Sequence, residues 1–335
     1  MKISRMHRVV LAFIACALSL CLSWGVTAAQ DASPQAMPTG TGIEGAVAWL
    51  VAQQGEDGAF VGFTGEPDAG VTVDAILALT AARNAGIDAG PAIDLAVGYL
   101  ESGDIALVYV QTGVGQAAKL VLALHAAGED PLDFAHVQPL TIIEHGVNPD
   151  TGLYGTGVFD HALAILALAA TGTEVPQAAV DALATTQAEN GGWAFDGSTD
   201  PAMADSNTTA LVVQALTAAG IDDPALVDGA LAYLESTWTD GGYGYNDAEG
   251  TVPDANSTAF VVQALIATGQ DLTSQLDALG AFQNTSGAFH YNADDTSDNL
   301  FATLQAIPAL AQLPFPIDPI ATAATPEASH VLAAT

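Results

Sequence analysis

A short polar turn ending in glycine and an aromatic recurs along this chain. A one-sided helical stretch precedes each copy, and a stretch that is apolar nearly all the way round follows it. The turns read QGEDGAF at Gln54 to Phe60, NPDTGLY at Asn148 to Tyr154, QAENGGW at Gln187 to Trp193, TWTDGGY at Thr237 to Tyr243 and QNTSGAF at Gln283 to Phe289. A degenerate copy falls near Tyr99 to Tyr109, because Gly58 and Gly152 are separated by about two periods of a roughly 45-residue repeat. A helix pair of this size cannot bury its apolar face alone, so six in series must stack on one another.

The second helix of each pair reads AILALTAARNAG, AAKLVLALHAAG, ALAILALAATG, ALVVQALTAAG, AFVVQALIATG or ATLQAIPALAQ. Helices apolar on every side belong inside, which predicts an inner ring of six. The first helices, such as GAVAWLVAQQ, AAVDALATTQ and GALAYLESTW, carry polar residues at regular gaps and suit an outer ring packed on the inner one. The chain therefore reads as all-α, a double ring of about twelve helices over residues 43–312. In the turns, the glycines suit left-handed backbone at a helix end, and Gln54, Gln187 and Gln283 offer amides to the last carbonyls of their helices. The aromatics Phe60, Tyr154, Trp193, Tyr243 and Phe289 read as covers for the helix edge.

The ends are different in kind. Lys2, Arg5 and Arg8 precede an apolar run from Val9 to about Leu22, and small residues end at Ala29, so residues 1–29 read as a secretory signal peptide. Cleavage there removes Cys16 and Cys21, the two cysteines of the 335-residue chain, and with them any disulfide, thiol nucleophile or thiolate ligand. Residues 30–42 form a lead-in. Residues 313–335 open with LPFPIDP, turn Ala/Thr-rich and read as a flexible tail without a membrane-spanning run. The expected location is secreted, either extracellular or at the cell surface or periplasm, with no membrane insertion once the leader is gone.

Arg83 and Lys119 are then the fixed cations left against 38 Asp and Glu. Nucleic acid is excluded as a partner, since its phosphates would meet repulsion instead of neutralisation. The surplus of acid suits a solvated surface. Clusters at Asp196 to Asp205, Asp247 to Asp254 and Asp294 to Asp298 make calcium the cofactor the sequence admits, although none has EF-hand spacing.

The QxxxGxW/F spacing at Gln54-Gly58-Phe60, Gln187-Gly191-Trp193 and Gln283-Gly287-Phe289 resembles the prenyltransferase and squalene-cyclase repeat. The resemblance covers residues 43–312 and implies a single α6/α6 toroid of the terpenoid-cyclase-like superfamily, whose members include triterpene cyclases, prenyltransferase β subunits, thioester domains and the α domain of cobalamin carriers. It fixes a fold and leaves function to the site. A protonating cyclase would carry DxDD, and the nearest match, Asn292-Ala293-Asp294-Asp295, lacks the first acid. Zinc-dependent prenyl transfer and thioester chemistry both need a cysteine. The segments DSNTTALVVQAL (Asp205 to Leu216) and DANSTAFVVQAL (Asp254 to Leu265) resemble the carrier-like group, which implies a bound small molecule, corrinoid or isoprenoid-like. Carriers complete their site with a second domain, which the residues after 312 do not resemble.

Aligning the inner helices gathers polar residues at their starts. Asp205, Asn207, Thr208 and Thr209 fall over Asp254, Asn256, Ser257 and Thr258, with Asp298 and Asn299 in the sixth repeat and Asp160 and His161 in the third. Asp68, Thr72 and Gln116 fall in the same columns. Such residues either cap helices or converge on a ligand at one mouth of the ring. Asp160 with His161 is the candidate catalytic or metal pair, although adjacent helical residues point about 100° apart. His136 and His145 read as surface or packing residues of a separate helix. The expectation is a non-catalytic toroid that binds a small ligand or a second surface protein through Asp205, Asn207, Thr208, Asp254, Asn256, Ser257, Asp298 and Asn299. The alternatives are an enzyme of terpene-cyclase-like or polysaccharide lyase or hydrolase type, and a structural surface module.

Overall fold

The computed structural model describes residues 41–320 except 222 and 240. The leader read over 1–29, nearly all of the lead-in and residues 321–335 lie outside the described residues. In order come α1 (Ile43–Val51), β1 (Phe60–Val61), β2 (Pro67–Asp68), α2 (Ala69–Asn84), α3 (Gly90–Glu101), α4 (Ile105–Val110), α5 (Val114–Ala127), α6 (Pro139–Glu144) and α7 (Val158–Ala170). There follow α8 (Gln177–Thr186), β3 (Trp193–Ala194), β4 (Ala204–Asp205), α9 (Ser206–Ala218), α10 (Pro224–Ser236), β5 (Trp238–Thr239), β6 (Gly242–Tyr243), α11 (Ala255–Ala267), α12 (Thr273–Gly280) and α13 (Leu300–Leu310).

Helices α2, α5, α7, α9, α11 and α13 pack each on the next, and α13 returns to α2. This is the inner ring. In α7 every residue from His161 to Leu168 is buried, as the all-round apolar pattern requires. The outer helices α1, α3, α6, α8, α10 and α12 lean on it by one face; α8 buries Ala179, Val180, Ala182 and Leu183 and leaves its other side to water. The second repeat has the short helix α4 where the others have a glycine-aromatic turn. His145 follows the last residue of the short outer helix α6, and His136 precedes that helix, so neither lies inside it.

The turn glutamines do something other than cap their own helices. Gln54 Nε2 donates to Gly58 O within its turn (3.0 Å) and to Ala92 O of the next outer helix (2.9 Å). Gln187 repeats this with Gly191 O (2.8 Å) and Leu226 O (3.0 Å). Gln283 does the same with Gly287 O (2.8 Å) and, across the seam of the ring, Gly42 O (2.8 Å), while its Oε1 accepts from Gly42 N–H (2.5 Å). One amide thus ties each such turn to the following repeat, and the last tie joins the end of the toroid to its beginning. The turn aromatics are buried beneath these ties, with Phe60, Trp193 and Phe289 fully enclosed.

The opposite end of the ring departs from the sequence reading. The sequence suggests a flexible tail from 313, but residues 313–320 cross the end where the inner helices finish. Phe315 N–H donates to Gln214 Oε1 (2.9 Å), Gln263 Nε2 donates to Leu313 O (3.1 Å), and Asn84 Nδ2 donates to Asp318 O (2.7 Å). Ile317 is buried. Gln214 and Gln263 are themselves buried in otherwise apolar helices, and the tail backbone supplies the partners that such amides require.

Backbone proximity at the seam gives a test. A Cβ on Gly287 (φ +96°) would lie 2.3 Å from Gly45 O, whereas one on Gly250 (φ +82°) would meet nothing within 4 Å. Gly250→Ala is expected to cost about 1 to 2 kcal/mol from left-handed backbone alone. Gly287→Ala should cost at least about 2 kcal/mol more, because backbone must move. Urea unfolding of both variants checks this, and equal losses would contradict the close approach.

Candidate functional site

The inner helices begin at one end of the ring, and their first residues decide what that end can do. Asp68 accepts from Val71 N–H (2.9 Å), Asp205 from Thr208 N–H (2.7 Å), Asp254 from Ser257 N–H (2.8 Å) and Asn299 from Ala302 N–H (3.0 Å). These four are N-caps at equivalent positions. Four residues further on, the hydroxyl of Thr72, Thr209, Thr258 or Thr303 accepts the backbone N–H of the turn aromatic Phe60, Trp193, Tyr243 or Phe289, at 2.9 to 3.0 Å.

His161 takes this position in the third repeat. Its Nδ1 accepts from Tyr154 N–H (2.8 Å) and its Nε2 donates to Ala179 O in α8 (2.9 Å). Ala179 stands where Ala92 and Leu226 stand in their helices, so one imidazole replaces both the threonine and the glutamine that this repeat lacks. The bonds fix the neutral tautomer with hydrogen on Nε2, and burial holds the pKa below its usual value. With both ring nitrogens committed, His161 does not pair with Asp160.

Asp205 and Asp254 are buried, and each carboxylate is bonded through both oxygens: Thr208 Oγ1 (2.9 Å) and Ser257 Oγ (2.8 Å) complement the backbone donors. Burial pushes both up to about 6. Asn207 accepts a long bond from Ser206 (3.4 Å), and Asn256 Nδ2 donates to Gln305 Oε1 (2.6 Å). Asp298 accepts from Asn284 Nδ2 and Ser286 Oγ, both at 2.8 Å. Of the eight residues assigned to ligand binding from sequence, most make cap and loop bonds, while Asn256 bonds across to α13. Among the described residues no group of three or more His, Cys, Asp or Glu could hold a metal ion. Asp294 and Asp295, in the nearest match to the acid motif, are exposed, and bonds from Ser297 hold the Asp295 carboxyl below its usual range.

An opening lies on the other side of the same end. A cavity of about 380 Å³ is lined by Phe63, Tyr109, Phe159, Phe195 and Phe301, with Asp68, Asp74, Gln116, Lys119 and Asp160 among the polar groups. Phe63 stacks on Phe301 with centroids 4.2 Å apart, and Phe159 contacts Phe195 (5.5 Å) and Phe260 (6.3 Å). Phe195 reaches over α7 because its carbonyl accepts from Phe159 N–H (3.5 Å); Tyr245 and Tyr291 make the same link to Ser206 and Ala255. Lys119 Nζ lies 2.6 Å from Asp74 Oδ1, joining α5 to α2. Asp160 Oδ2 accepts from Thr156 N–H (3.0 Å) and Oγ1 (2.8 Å). Burial, then Asp74 and Asp68, hold the Tyr109 hydroxyl well above its usual pKa and neutral. Gly70 and Gly115 stand in the wall and let the lining side chains lie close to backbone: a Cβ on Gly115 would lie 2.2 Å from Asp160 Oδ1, and one on Gly70 3.4 Å from the Tyr109 ring.

Of the residues picked from sequence, Asp68, Gln116 and Asp160 line this cavity. The aromatics and Lys119 were missed. Phe159 and Phe301 share a helix position with Asn207 and Asn256, and Asp74 and Lys119 share one with Gln305, so a column-by-column alignment carried further along the helices would have found these, whereas Phe63, Tyr109 and Phe195 lie outside the inner helices.

No protein-family model and no curated protein sequence matches the chain. Solved structures do. The type II terpene cyclase MstE from Scytonema is 14% identical with TM-score 0.59 over 81% of this chain and 96% of its own. The GH76A α-1,6-mannanase from Salegentibacter is 12% identical with TM-score 0.60 over 81% and 97%. An unsaturated glucuronyl hydrolase specific for heparin is 12% identical with TM-score 0.57 over 81% and 95%. This chain is therefore an α/α toroid of the terpenoid-cyclase-like architecture, and the likeness is one of fold.

Two outcomes follow. Unfolded Asp titrates near 3.8 and these two near 6 when folded. The stabilisation from their bound protons is therefore complete below about pH 4 and lost as pH rises through 6. Asn caps equally well without titrating, so the stability of the wild type relative to the Asp205→Asn, Asp254→Asn double variant should rise as pH falls from 7.5 to 4.5 in parallel thermal melts. A difference that stays flat would contradict the burial of these carboxyls. His161→Thr should keep the bond from Tyr154 N–H and lose that to Ala179 O, costing about 1 to 3 kcal/mol for the orphaned carbonyl, which urea unfolding would register.

Proposed function

We propose that the toroid binds one compact small molecule, with an apolar body and a polar end, in the aromatic-walled cavity where the inner helices begin. The observation that carries this reading is the cavity itself. Its volume lies within the range of roughly 300 to 1,000 Å³ usual for small-molecule sites, and a few convergent polar groups sit among ring faces. Those groups are Asp68, Asp74, Gln116, Lys119 and Asp160. A ligand of one or two ring systems or a short isoprenoid fits this space; a corrinoid is far larger. The capping bonds of Asp205 and Asp254 support a role for that side of the mouth in holding the rim. The leader-like segment at 1–29 supports a secreted protein.

A second reading is an enzyme. Asp74 and Asp160 line one cavity beside exposed aromatics, and two carboxyls flanking a substrate are what glycoside hydrolysis needs. The fold neighbours of cyclase and hydrolase type agree with it. Release of reducing sugar from a polysaccharide panel, lost in both Asp74→Asn and Asp160→Asn, would favour this reading over simple binding.

The binding reading is tested with N-phenyl-1-naphthylamine, a neutral probe whose fluorescence rises in apolar surroundings. Saturable one-to-one binding is expected, weakened at least about tenfold, or about 1.4 kcal/mol, in Gly115→Leu, which fills the wall. Retained helical circular dichroism would show that this variant still folds. A wild type that does not bind the probe, or a folded variant that binds it equally, would overturn the proposal.

A further inference from the structure

The cavity places aromatic faces and carboxylates around one space. Phe63, Phe159, Phe195 and Phe301 present four phenyl rings, and Tyr109 adds a fifth that stays uncharged. Phenyl faces carry negative quadrupole density and attract a cation within about 6 Å of the centroid. Asp68, Asp74 and Asp160 share the lining. Lys119 is the cation among the lining residues, and its ammonium is spent on Asp74 at 2.6 Å, which leaves two carboxylates without a cationic partner. Asp160 is the more available of these. Both Thr156 bonds fall on its Oδ2, and its Oδ1 lies against the bare backbone of Gly115 with no donor on it among the described residues. The surroundings reinforce the sign, since the whole chain carries a formal charge of −33. A concave, low-dielectric mouth concentrates such a field and raises the local concentration of counter-charged ligands.

We propose that this cavity selects a small organic cation, a quaternary or alkylated ammonium carried on an apolar body, with the ammonium held among Phe159, Phe195 and Asp160. The inference rests on the reading of the cavity as a small-molecule site and adds the charge of the ligand. An anionic ligand would have to displace Asp74 from Lys119 and then lie beside Asp68 and Asp160. A neutral one would leave the carboxylates desolvated without compensation. An alkylated ammonium satisfies both requirements, because its spread charge is cheap to desolvate and its methyl groups pack against ring faces.

The test is displacement of N-phenyl-1-naphthylamine from the intact protein by three probes of one shape: choline, its neutral carbon isostere 3,3-dimethylbutan-1-ol, and 3,3-dimethylbutanoate. Choline is expected to displace at a concentration at least about tenfold below the alcohol, with the carboxylate weakest. The choline-to-alcohol ratio should shrink in Asp160→Asn, which keeps the shape and the Thr156 bonds, and on raising NaCl from about 20 to 500 mM. Displacement by the alcohol or the carboxylate as readily as by choline would overturn the cation inference while leaving the site in place. So would a ratio indifferent to salt and to Asp160→Asn. Failure of the naphthylamine itself to bind would remove the site and the inference together.

Discussion

The architecture depends on one small interaction, the side-chain amide that bonds its own turn and the next outer helix at once. A repeat protein of open form needs special terminal units to cover its exposed ends. Here the last glutamine, Gln283, treats Gly42 as Gln54 treats Ala92 and Gln187 treats Leu226, so the first repeat serves as the successor of the sixth. The turn glycine is part of the same device, because the amide can reach only if the turn backbone lies against the neighbouring helix. Where the glutamine is missing in the third repeat, His161 makes the bond from the inner ring instead. In that repeat the constraint is preserved while the residue that meets it changes, whereas in the fifth the Thr237 hydroxyl bonds only Leu234 O of its own helix.

The two ends of the ring are consequently unequal. At the finishing ends of the inner helices, buried Gln214 and Gln263 would carry unsatisfied amides were it not for the segment 313–320 lying across them. At the starting ends, the caps of repeats four and five close their side with the buried carboxylates Asp205 and Asp254, beside Tyr245 and Tyr291. Repeats one and two have glycine, Gly70 and Gly115, at the position where the later repeats carry phenylalanine or asparagine. Gly70 and Gly115 thus let Tyr109 and Asp160 settle against the inner helices, and Tyr109, on the helix that stands where the turn is degenerate, becomes part of the wall.

Most of the fold was legible in the sequence because a burial pattern repeated six times leaves little freedom: helix types, ring membership and the covered aromatics all follow from periodicity. The site was less legible. Clusters such as Asp205 with Thr208 and Asp254 with Ser257 read from sequence either as caps or as converging ligand groups, and the bonds they make here are those of caps. The residues that do line a cavity are phenylalanines, indistinguishable in sequence from core, and a lysine inside an apolar helix. Their common property is position around the ring, which appears only when six helices are superposed. The packed segment 313–320 escaped for the opposite reason, since its Pro-rich composition is that of a linker and its partners are two glutamines about 50 and 100 residues away.

The placement of Arg83 and Lys119, the arginine and lysine of the described toroid, matters beyond charge. Lys119 bonds Asp74 from α5 to α2, and Arg83 donates to Ala126 O (3.1 Å) from α2 to α5. Both therefore reinforce the single junction where the second repeat has lost its turn motif, and both sit on inner-ring helices. The outer helices of the described toroid carry no lysine or arginine at all. A trypsin-like protease, which cuts only after those residues, has no substrate bond on the outer ring, and each of its two sites in the toroid lies within a packed inner helix. The described toroid is shielded from trypsin-like cleavage by composition as much as by stability.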